Sequence, residues 1–216
     1  MITSLQGSSL FLKDAKQRKA CGVEENYCLN EKMDMVTLET ASRQKYFKKK
    51  FKGVLFSDET RKRSISNSAI GDFFIVNTNH VKGIHWYSLV RGGDMWVIFD
   101  SSEETALSAY KNIIDRLSLP VIIDRANLQS VDSLLCGEYA LCSVAMMGKT
   151  FLKMGKKINH FNYPKNYYSK RIAAYVRSKN ISSDKFVFNF IYKTMKHFLH
   201  ITPEKKSDVE QWLSSF

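Results

Sequence analysis

The sequence predicts an α+β protein, and three observations support this fold class. Short runs rich in β-branched and aromatic residues recur between residues 72 and 124, which is typical of buried strands. One segment of helical spacing interrupts these runs, and helical patterns dominate the chain from residue 136 onward. Strands with one helix between them, followed by a helical C-terminal region, indicate α+β. The 216 residues fit one domain, with a variable basic part at 1–70, a core at 71–152 and a helical part at 153–216.

The first part of the chain is basic, which indicates a polyanionic partner. The chain carries 33 Lys and Arg against 21 Asp and Glu, a formal net charge of +12. In residues 41–63 basic residues alternate with aromatic ones, and such a pattern can neutralise phosphates and stack on bases. A solvated charged face over a few core aromatics fits this segment equally well. The candidate nucleic-acid contacts are Lys48, Lys49, Lys50, Lys52, Arg61, Lys62 and Arg63.

Three strand-like runs follow, with the sequences DFFIVNT, GIHWYSLV and MWVIFD. The glycine pair between the second and third runs predicts a β-hairpin. A two-residue turn at 92–93 would place His85 directly opposite Asp100. Side chains in such a pair are close enough for a carboxylate to hold an imidazole by one ring nitrogen. A chance pairing at the strand ends is the alternative.

Helical patterns complete the list of expected elements. The segment SSEETALSAYKNIIDRLS predicts a helix with a capping box formed by Ser101 and Glu104. LPVIID then predicts another short strand. The apolar, proline-free segment from Cys136 to about Leu152 predicts a buried helix. Three more helices are expected after it, in the segments NYYSKRIAAYVRSK, SDKFVFNFIYKTMKHFL and PEKKSDVEQWLSSF, with Pro203 near the start of the last one.

Cys136 is the candidate nucleophile. It lies where a polar loop enters the expected buried helix, so the helix N-terminus and a nearby imidazolium would both stabilise a thiolate. Gly137 would let backbone or substrate approach closely. Cys142 lies about 240° around the helix from Cys136 and is expected to pack in the core. The four cysteines lack C-x-x-C spacing, so no metal site is expected.

Acyl transfer through a cysteine also needs hydrogen-bond donors for the tetrahedral oxyanion. Gln129 lies seven residues before Cys136, on the loop that leads into the helix. Its side-chain amide could supply one donor and the backbone N–H of Cys136 the other. A solvated loop glutamine is the ordinary alternative, so the value of Gln129 comes from the whole set of residues.

In order and spacing these residues resemble the adenovirus protease (adenain) family, in the clan that includes the SUMO-deconjugating proteases. The matching pieces are FIVNT…GIHW, the acidic residue that ends the next strand, and Gln129 followed seven residues later by Cys136 and a glycine. The resemblance covers residues 72–145. It implies a central, mostly antiparallel sheet packed against the helix that bears the nucleophile, with a helical C-terminal region.

The resemblance implies a cysteine endopeptidase that cleaves viral precursor proteins at sites containing small residues or glycine. His85 would be the general base, and Asp100 its orienting carboxylate. Gln129 would serve the oxyanion hole for attack by Cys136. Trp86 would pack beside the catalytic histidine, although plain strand core accounts for it equally well. Many adenovirus enzymes have glutamate where this chain has Asp100.

The resemblance also bears on cofactors and partners. The chemistry requires no cofactor, but DNA and a viral peptide activate the adenovirus enzyme. The cysteine that takes this peptide lies near where this chain has Ser118, which argues against a disulfide-linked activator. Non-specific DNA binding is expected from the charge, and no membrane span is expected because no 18-residue apolar run occurs. A monomer in the virion and host cell interior (nucleus or viral assembly site) is expected.

Two other functions fit the same residues. A deubiquitinating or SUMO-deconjugating isopeptidase would use the same site with an added surface for a folded modifier. A catalytically inactive nucleic-acid-binding structural protein would show salt-sensitive DNA binding without thiol-dependent hydrolysis.

Overall fold

The computed structural model describes residues 49–57, 65, 67–78, 85–130, 133–154, 157–187 and 190. The strands are β1 Phe51–Phe56, β2 Phe73–Asn77, β3 Trp86–Arg91, β4 Trp96–Asp100 and β5 Val121–Arg125. The helices are α1 Ser108–Ile114, α2 Cys136–Met154 and α3 Tyr167–Lys179. The α+β class predicted from the sequence is confirmed.

The five strands form one mixed sheet in the order β1-β2-β3-β4-β5. The two central pairs, β2 with β3 and β3 with β4, are antiparallel. The two outer pairs, β1 with β2 and β4 with β5, are parallel. The expectation of a mostly antiparallel sheet is therefore wrong. Along the chain, helix α1 connects β4 to β5. Such a crossover brings the chain back to the level at which β4 starts, so β5 runs parallel to β4.

Strand β1 lies in the lysine-rich segment and was not predicted. Its register against β2 shifts between Phe51 and Gly53, so Lys52 is the extra residue of a β-bulge. Gly53 has φ of 141°, a backbone conformation that side chains disfavour, which explains the glycine at this point. Phe51 packs on Phe73 of β2 with ring centroids 5.5 Å apart, so this aromatic belongs to the core side of the strand.

Two lysines of the candidate nucleic-acid surface bind a carboxylate of the same chain. The Nζ atoms of Lys50 and Lys52 lie 3.5 and 3.1 Å from the carboxylate oxygens of Asp72, which is buried. Lys49 is exposed. Lys48, Arg61, Lys62 and Arg63 lie outside the described residues. Nucleic-acid contact through this segment stays a prediction, and two of its three cations among the described residues bind Asp72.

Both faces of the sheet are covered, which explains why its strands are continuous apolar runs. Along β3, Val90 belongs to the core that includes helix α2, and Ser88 Oγ lies 2.7 Å from Ser143 Oγ on that helix. Tyr87 and Leu89 belong to the second core, together with the buried side of α1. The sheet therefore separates α2 from α1.

The turn of the predicted hairpin lies one residue later than expected. The N–H of Gly92 donates to the carbonyl of Met95 at 2.9 Å, so residues 93–94 make the turn. In this position Asp94 reaches His160, whose Nδ1 is 2.7 Å from Oδ2 of the aspartate. The predicted register between β3 and β4 is therefore wrong by two residues. A shift of two leaves every side chain on its predicted face, because the period of a strand is two.

Helix α1 begins later than predicted, so the capping box at Ser101 and Glu104 is wrong. Asp100 Oδ1 accepts the N–H of Ser102 at 2.8 Å, and Ser102 Oγ accepts the N–H of Glu104 at 3.1 Å. Side-chain bonds of this type give the backbone an alternative to the helix. Residues 102–106 consequently form a loop that follows the end of β4.

Helix α3 agrees with the prediction, and a buried aspartate of β5 holds its N-terminus. Asp124 accepts the N–H groups of Tyr168 and Ser169 at 2.8 and 3.2 Å. It also accepts the hydroxyls of Ser169 and Tyr163 at 2.6 and 2.7 Å. A negative charge at a helix N-terminus is favoured by the unpaired N–H groups and the helix dipole.

The rest of the C-terminal part is described only up to residue 190. Residues 183–187 are helical, in agreement with the predicted segment that contains them. The last predicted helix, near Pro203, lies outside the described residues. Within the part of the chain that the structure covers, the helices lack the length and apolar character that a bilayer crossing needs.

Candidate active site

One cleft gathers three of the predicted residues from three different segments. His85 precedes β3, Gln129 lies on the loop after β5, and Cys136 begins α2. All three line a cavity of about 590 Å³, and the loop after Asp100 forms another of its walls. The fold therefore brings a thiol, an imidazole and a side-chain amide together.

Asp100 holds the imidazole although the predicted direct pairing of the two residues is wrong. Continuing the observed register would place Tyr87, not His85, opposite Asp100. His85 is then a diagonal neighbour on the same face, within reach of a long side chain. Its Nε2 lies 2.6 Å from Asp100 Oδ1. The predicted contact between His85 and Asp100 is present because a register error of two residues leaves both side chains on the same face of the sheet.

Asp100 is fully buried and accepts two further hydrogen bonds. The hydroxyl of Tyr110 donates to Oδ2 at 2.7 Å, and the N–H of Ser102 donates to Oδ1 at 2.8 Å. Burial, followed by the charge and hydrogen bond of Asp100, raises the pKa of Tyr110, so its proton stays on the hydroxyl. The carboxylate is thus fixed in orientation and charge-stabilised. Tyr110 is a site residue that the sequence did not reveal.

The pKa of His85 is shifted far from its ordinary value. Burial lowers its pKa, but hydrogen bonds and charge from Asp100 and Cys136 outweigh burial and raise the pKa from 6.5 to about 10. Because Nε2 binds Asp100, Nδ1 is the ring atom left for the hydrogen bond to Cys136. The arrangement favours an imidazolium beside the sulfur at neutral pH.

The two described cysteines differ as predicted from their positions along one helix. Cys136 is the first residue of α2, lines the cavity and is 3% exposed. Cys142 is 0% exposed in the core, and burial raises its pKa. Both are free thiols. The core role predicted for Cys142 is confirmed.

Gln129 is fixed at both ends of its side-chain amide. Nε2 donates to the carbonyl of Ser133 at 2.5 Å, and Oε1 accepts the hydroxyl of Ser101 at 2.9 Å. The backbone N–H of Gln129 also donates to the carbonyl of Ser101 at 3.2 Å. An amide nitrogen carries two hydrogens, and the contact with Ser133 uses one of them.

Trp86 and Gly137 lie next to the site but do not line the cavity. Trp86 is a buried residue of β3, pairs with Asn77 of β2 and belongs to the core on the α2 side of the sheet. This position fits the strand-core interpretation. Gly137 is buried in the first turn of α2.

No protein-family model matches the chain, and no curated protein gives a significant match. A solved structure described as "Crystal structure of the de-sumoylating protease" is similar over 88% of this chain and 91% of that chain. The sequence identity is 13% and the TM-score is 0.39. A likeness at this level carries no inference about activity.

Proposed function

We propose that this chain is a cysteine peptidase that hydrolyses peptide bonds by acyl transfer through Cys136. The observation that carries the proposal is the convergence of Cys136, His85 and Gln129 on one cavity. The 2.6 Å contact of His85 with Asp100 supports the assignment, because a nucleophile, a base and an orienting group form one chain of contacts.

In the acylation step, the Cys136 thiolate attacks the carbonyl carbon of the substrate and a C–S bond forms. The backbone N–H of Cys136 and the free amide hydrogen of Gln129 donate to the oxyanion. The tetrahedral intermediate collapses, the C–N bond breaks, and the imidazolium of His85 gives its Nδ1 proton to the leaving amine. The products of this step are a thioester and a free amine.

In the deacylation step, neutral His85 takes a proton from water, and the hydroxide attacks the thioester carbonyl. The C–S bond breaks to release the carboxylic acid, and the thiolate–imidazolium pair is restored. Asp100 holds the proton on Nε2 throughout, which keeps Nδ1 directed at the sulfur.

For the substrate, we propose precursor proteins cut at sites that contain small residues or glycine, during maturation of a viral or virus-like particle. The burial of Cys136 supports the size preference, since only 3% of this residue is exposed. A side chain next to the scissile carbonyl must fit in the narrow approach to the sulfur, and glycine needs the least space. Activation by DNA or a viral peptide is part of the same proposal and is tested by adding each one to the assay.

The two cysteines of α2 provide the test. We expect Cys136→Ala to lose cleavage of a peptide coumarin amide ending in Gly-Gly, and Cys142→Ala to retain it in the folded fraction. Circular dichroism would establish folding, because Cys142 is fully buried and its truncation destabilises the core. Equal activity of Cys136→Ala and the wild type would overturn the proposal.

Two further reporters separate the alternatives. Release of a ubiquitin-like modifier from a lysine side chain, without cleavage of precursor peptides, would identify a deconjugating isopeptidase. Salt-sensitive DNA binding with no thiol-dependent hydrolysis would identify an inactive nucleic-acid-binding protein.

A further inference from the structure

A buried carboxylate outside the proposed triad joins the helix of the nucleophile to the loop of Gln129. Asp184 lies in the helical segment 183–187 and is 8% exposed. Its Oδ1 accepts the hydroxyl of Tyr139 at 2.8 Å. Its Oδ2 accepts the hydroxyl of Ser130 at 2.5 Å and, more weakly, the N–H of Ser130 at 3.4 Å.

The partners of Asp184, Tyr139 and Ser130, are close in sequence to the two proposed oxyanion donors, Cys136 and Gln129. Tyr139 is three residues after Cys136 in the first turns of α2, and its hydroxyl is also 2.9 Å from the carbonyl of Leu128. Leu128 and Ser130 are the two chain neighbours of Gln129. The contacts of Asp184 therefore connect the first turns of the nucleophile helix with the residues on either side of Gln129.

The opposite side of the same loop is bound to the end of β4. The carbonyl of Ser101 accepts the N–H groups of Leu128 and Gln129 at 3.0 and 3.2 Å, and its hydroxyl binds Oε1 of Gln129. Gln129 is thus held between Ser101 and the group formed by Asp184, Ser130 and Tyr139. Asp184 supplies the only formal charge of that group, which strengthens its hydrogen bonds.

We propose that Asp184 is a positioning residue for the oxyanion hole. It fixes the distance between its two donors, the amide of Gln129 and the backbone N–H of Cys136. The inference rests on the proposed function and assigns part of the catalytic geometry to the C-terminal helical part of the chain. Asp184 touches neither substrate nor sulfur, so its removal lowers the rate of oxyanion formation and leaves the thiolate intact.

The chain contains a matched control for this proposal. Asp124 is also buried and also accepts a tyrosine hydroxyl, a serine hydroxyl and backbone N–H groups, from Tyr163, Tyr168 and Ser169. These contacts hold helix α3 and do not involve residues of the cavity. Asp124→Ala and Asp184→Ala therefore remove similar hydrogen bonds, and only the second acts on the Gln129 loop.

Two reactions of the full chain distinguish positioning from folding. Release of coumarin from the Gly-Gly coumarin amide requires an oxyanion, whereas alkylation of Cys136 by iodoacetamide is a direct displacement at carbon and does not. We expect Asp184→Ala to lower kcat about 10²-fold, as for loss of an oxyanion donor, with KM and the alkylation rate close to wild type. Asp184→Asn keeps one acceptor oxygen and should recover part of the rate. Asp124→Ala should lower thermal stability and leave kcat of the folded fraction unchanged.

The outcomes separate this inference from the proposed function. If wild-type protein releases no coumarin, the proposed function and this inference both fail. If wild type is active and Asp184→Ala matches Asp124→Ala in kcat, only the positioning role is overturned. Where Asp184→Ala does not fold, Tyr139→Phe and Ser130→Ala each remove one hydroxyl contact to Asp184, and unchanged kcat in both would overturn the inference.

Discussion

Replacing Asp100 by asparagine removes the charge that holds His85 and keeps the shape of the side chain. The carboxylate accepts three hydrogen bonds, at 2.6 Å from His85, 2.7 Å from Tyr110 and 2.8 Å from Ser102. An asparagine amide offers one acceptor oxygen and turns the other side into a donor. At least one of the three donors then has no acceptor in a position that is 0% exposed.

The expected loss of activity follows from these contacts. A hydrogen bond to a charged group contributes about 1.5–3 kcal/mol, which corresponds to roughly 10- to 150-fold in rate. An amide that donates to Nε2 also moves the ring proton to Nδ1, where it prevents His85 from accepting a proton. In serine proteases, the same change of the triad aspartate lowers kcat about 10⁴-fold because it imposes the wrong tautomer. We therefore expect kcat/KM to fall by about 10²- to 10⁴-fold.

The assay compares kcat/KM for the Gly-Gly coumarin amide with thermal unfolding followed by circular dichroism. The orphaned donor costs about 1–3 kcal/mol of unfolding free energy, so the Tm of Asp100→Asn should fall by roughly 3–10 °C. Asp124→Asn is the control, with a similar loss of Tm and near wild-type kcat/KM. If Asp100→Asn lowers Tm as the control does and keeps wild-type kcat/KM, Asp100 is only structural and the reasoning is refuted.

Individual contacts give three other predictions. Because the folded pKa of His85 is raised to about 10 from 6.5, its contribution to stability is complete below pH 6.5 and is lost as pH rises toward 10. The difference in urea unfolding free energy between wild type and His85→Gln should shrink over that range, and a constant difference would contradict the assignment. Gln129→Ala should lower kcat about 10²-fold while the iodoacetamide rate of Cys136 stays unchanged; a parallel fall in both rates would place Gln129 outside the oxyanion hole. Ser88→Ala should cost about 1 kcal/mol in urea unfolding, since Ser143 keeps its 2.7 Å bond to the carbonyl of Ala140; a loss several times larger would mean that the hydroxyl pair acts as one unit.

The local sequence pattern was sufficient to predict the positions of several candidate site residues along the strands and helices. The strand ends located His85 and Asp100, and the change from polar loop to apolar helix located Cys136 at the first position of α2. The predicted hairpin register was wrong, because the turn lies at residues 93–94, where Asp94 contacts His160, 66 residues away along the chain. Even so, His85 and Asp100 were correctly predicted to share one face of the sheet, because a register error of two residues does not change the face of a side chain.

Residues whose role depends on distant partners could not be predicted. Tyr110 is one apolar-face residue of a helix, and only the folded chain brings its hydroxyl to Asp100. Asp184 lies in a segment of ordinary helical pattern, 45 residues from Tyr139. Strand β1 was not predicted because lysines dominate the local composition, and the carboxylate that binds Lys50 and Lys52, Asp72, belongs to the segment before β2.

The burial of helix α2 makes the Cys142 thiol a probe of how often the core opens. Cys142 is inaccessible in the native state, so a thiol reagent modifies it only in molecules that have opened the core. Cys136, on the same helix, lines the cavity, and the proposed function expects it to react in the native state. In one sample, the modification of Cys142 would therefore measure the opening of the core, while a faster modification of Cys136 would report on the candidate active site.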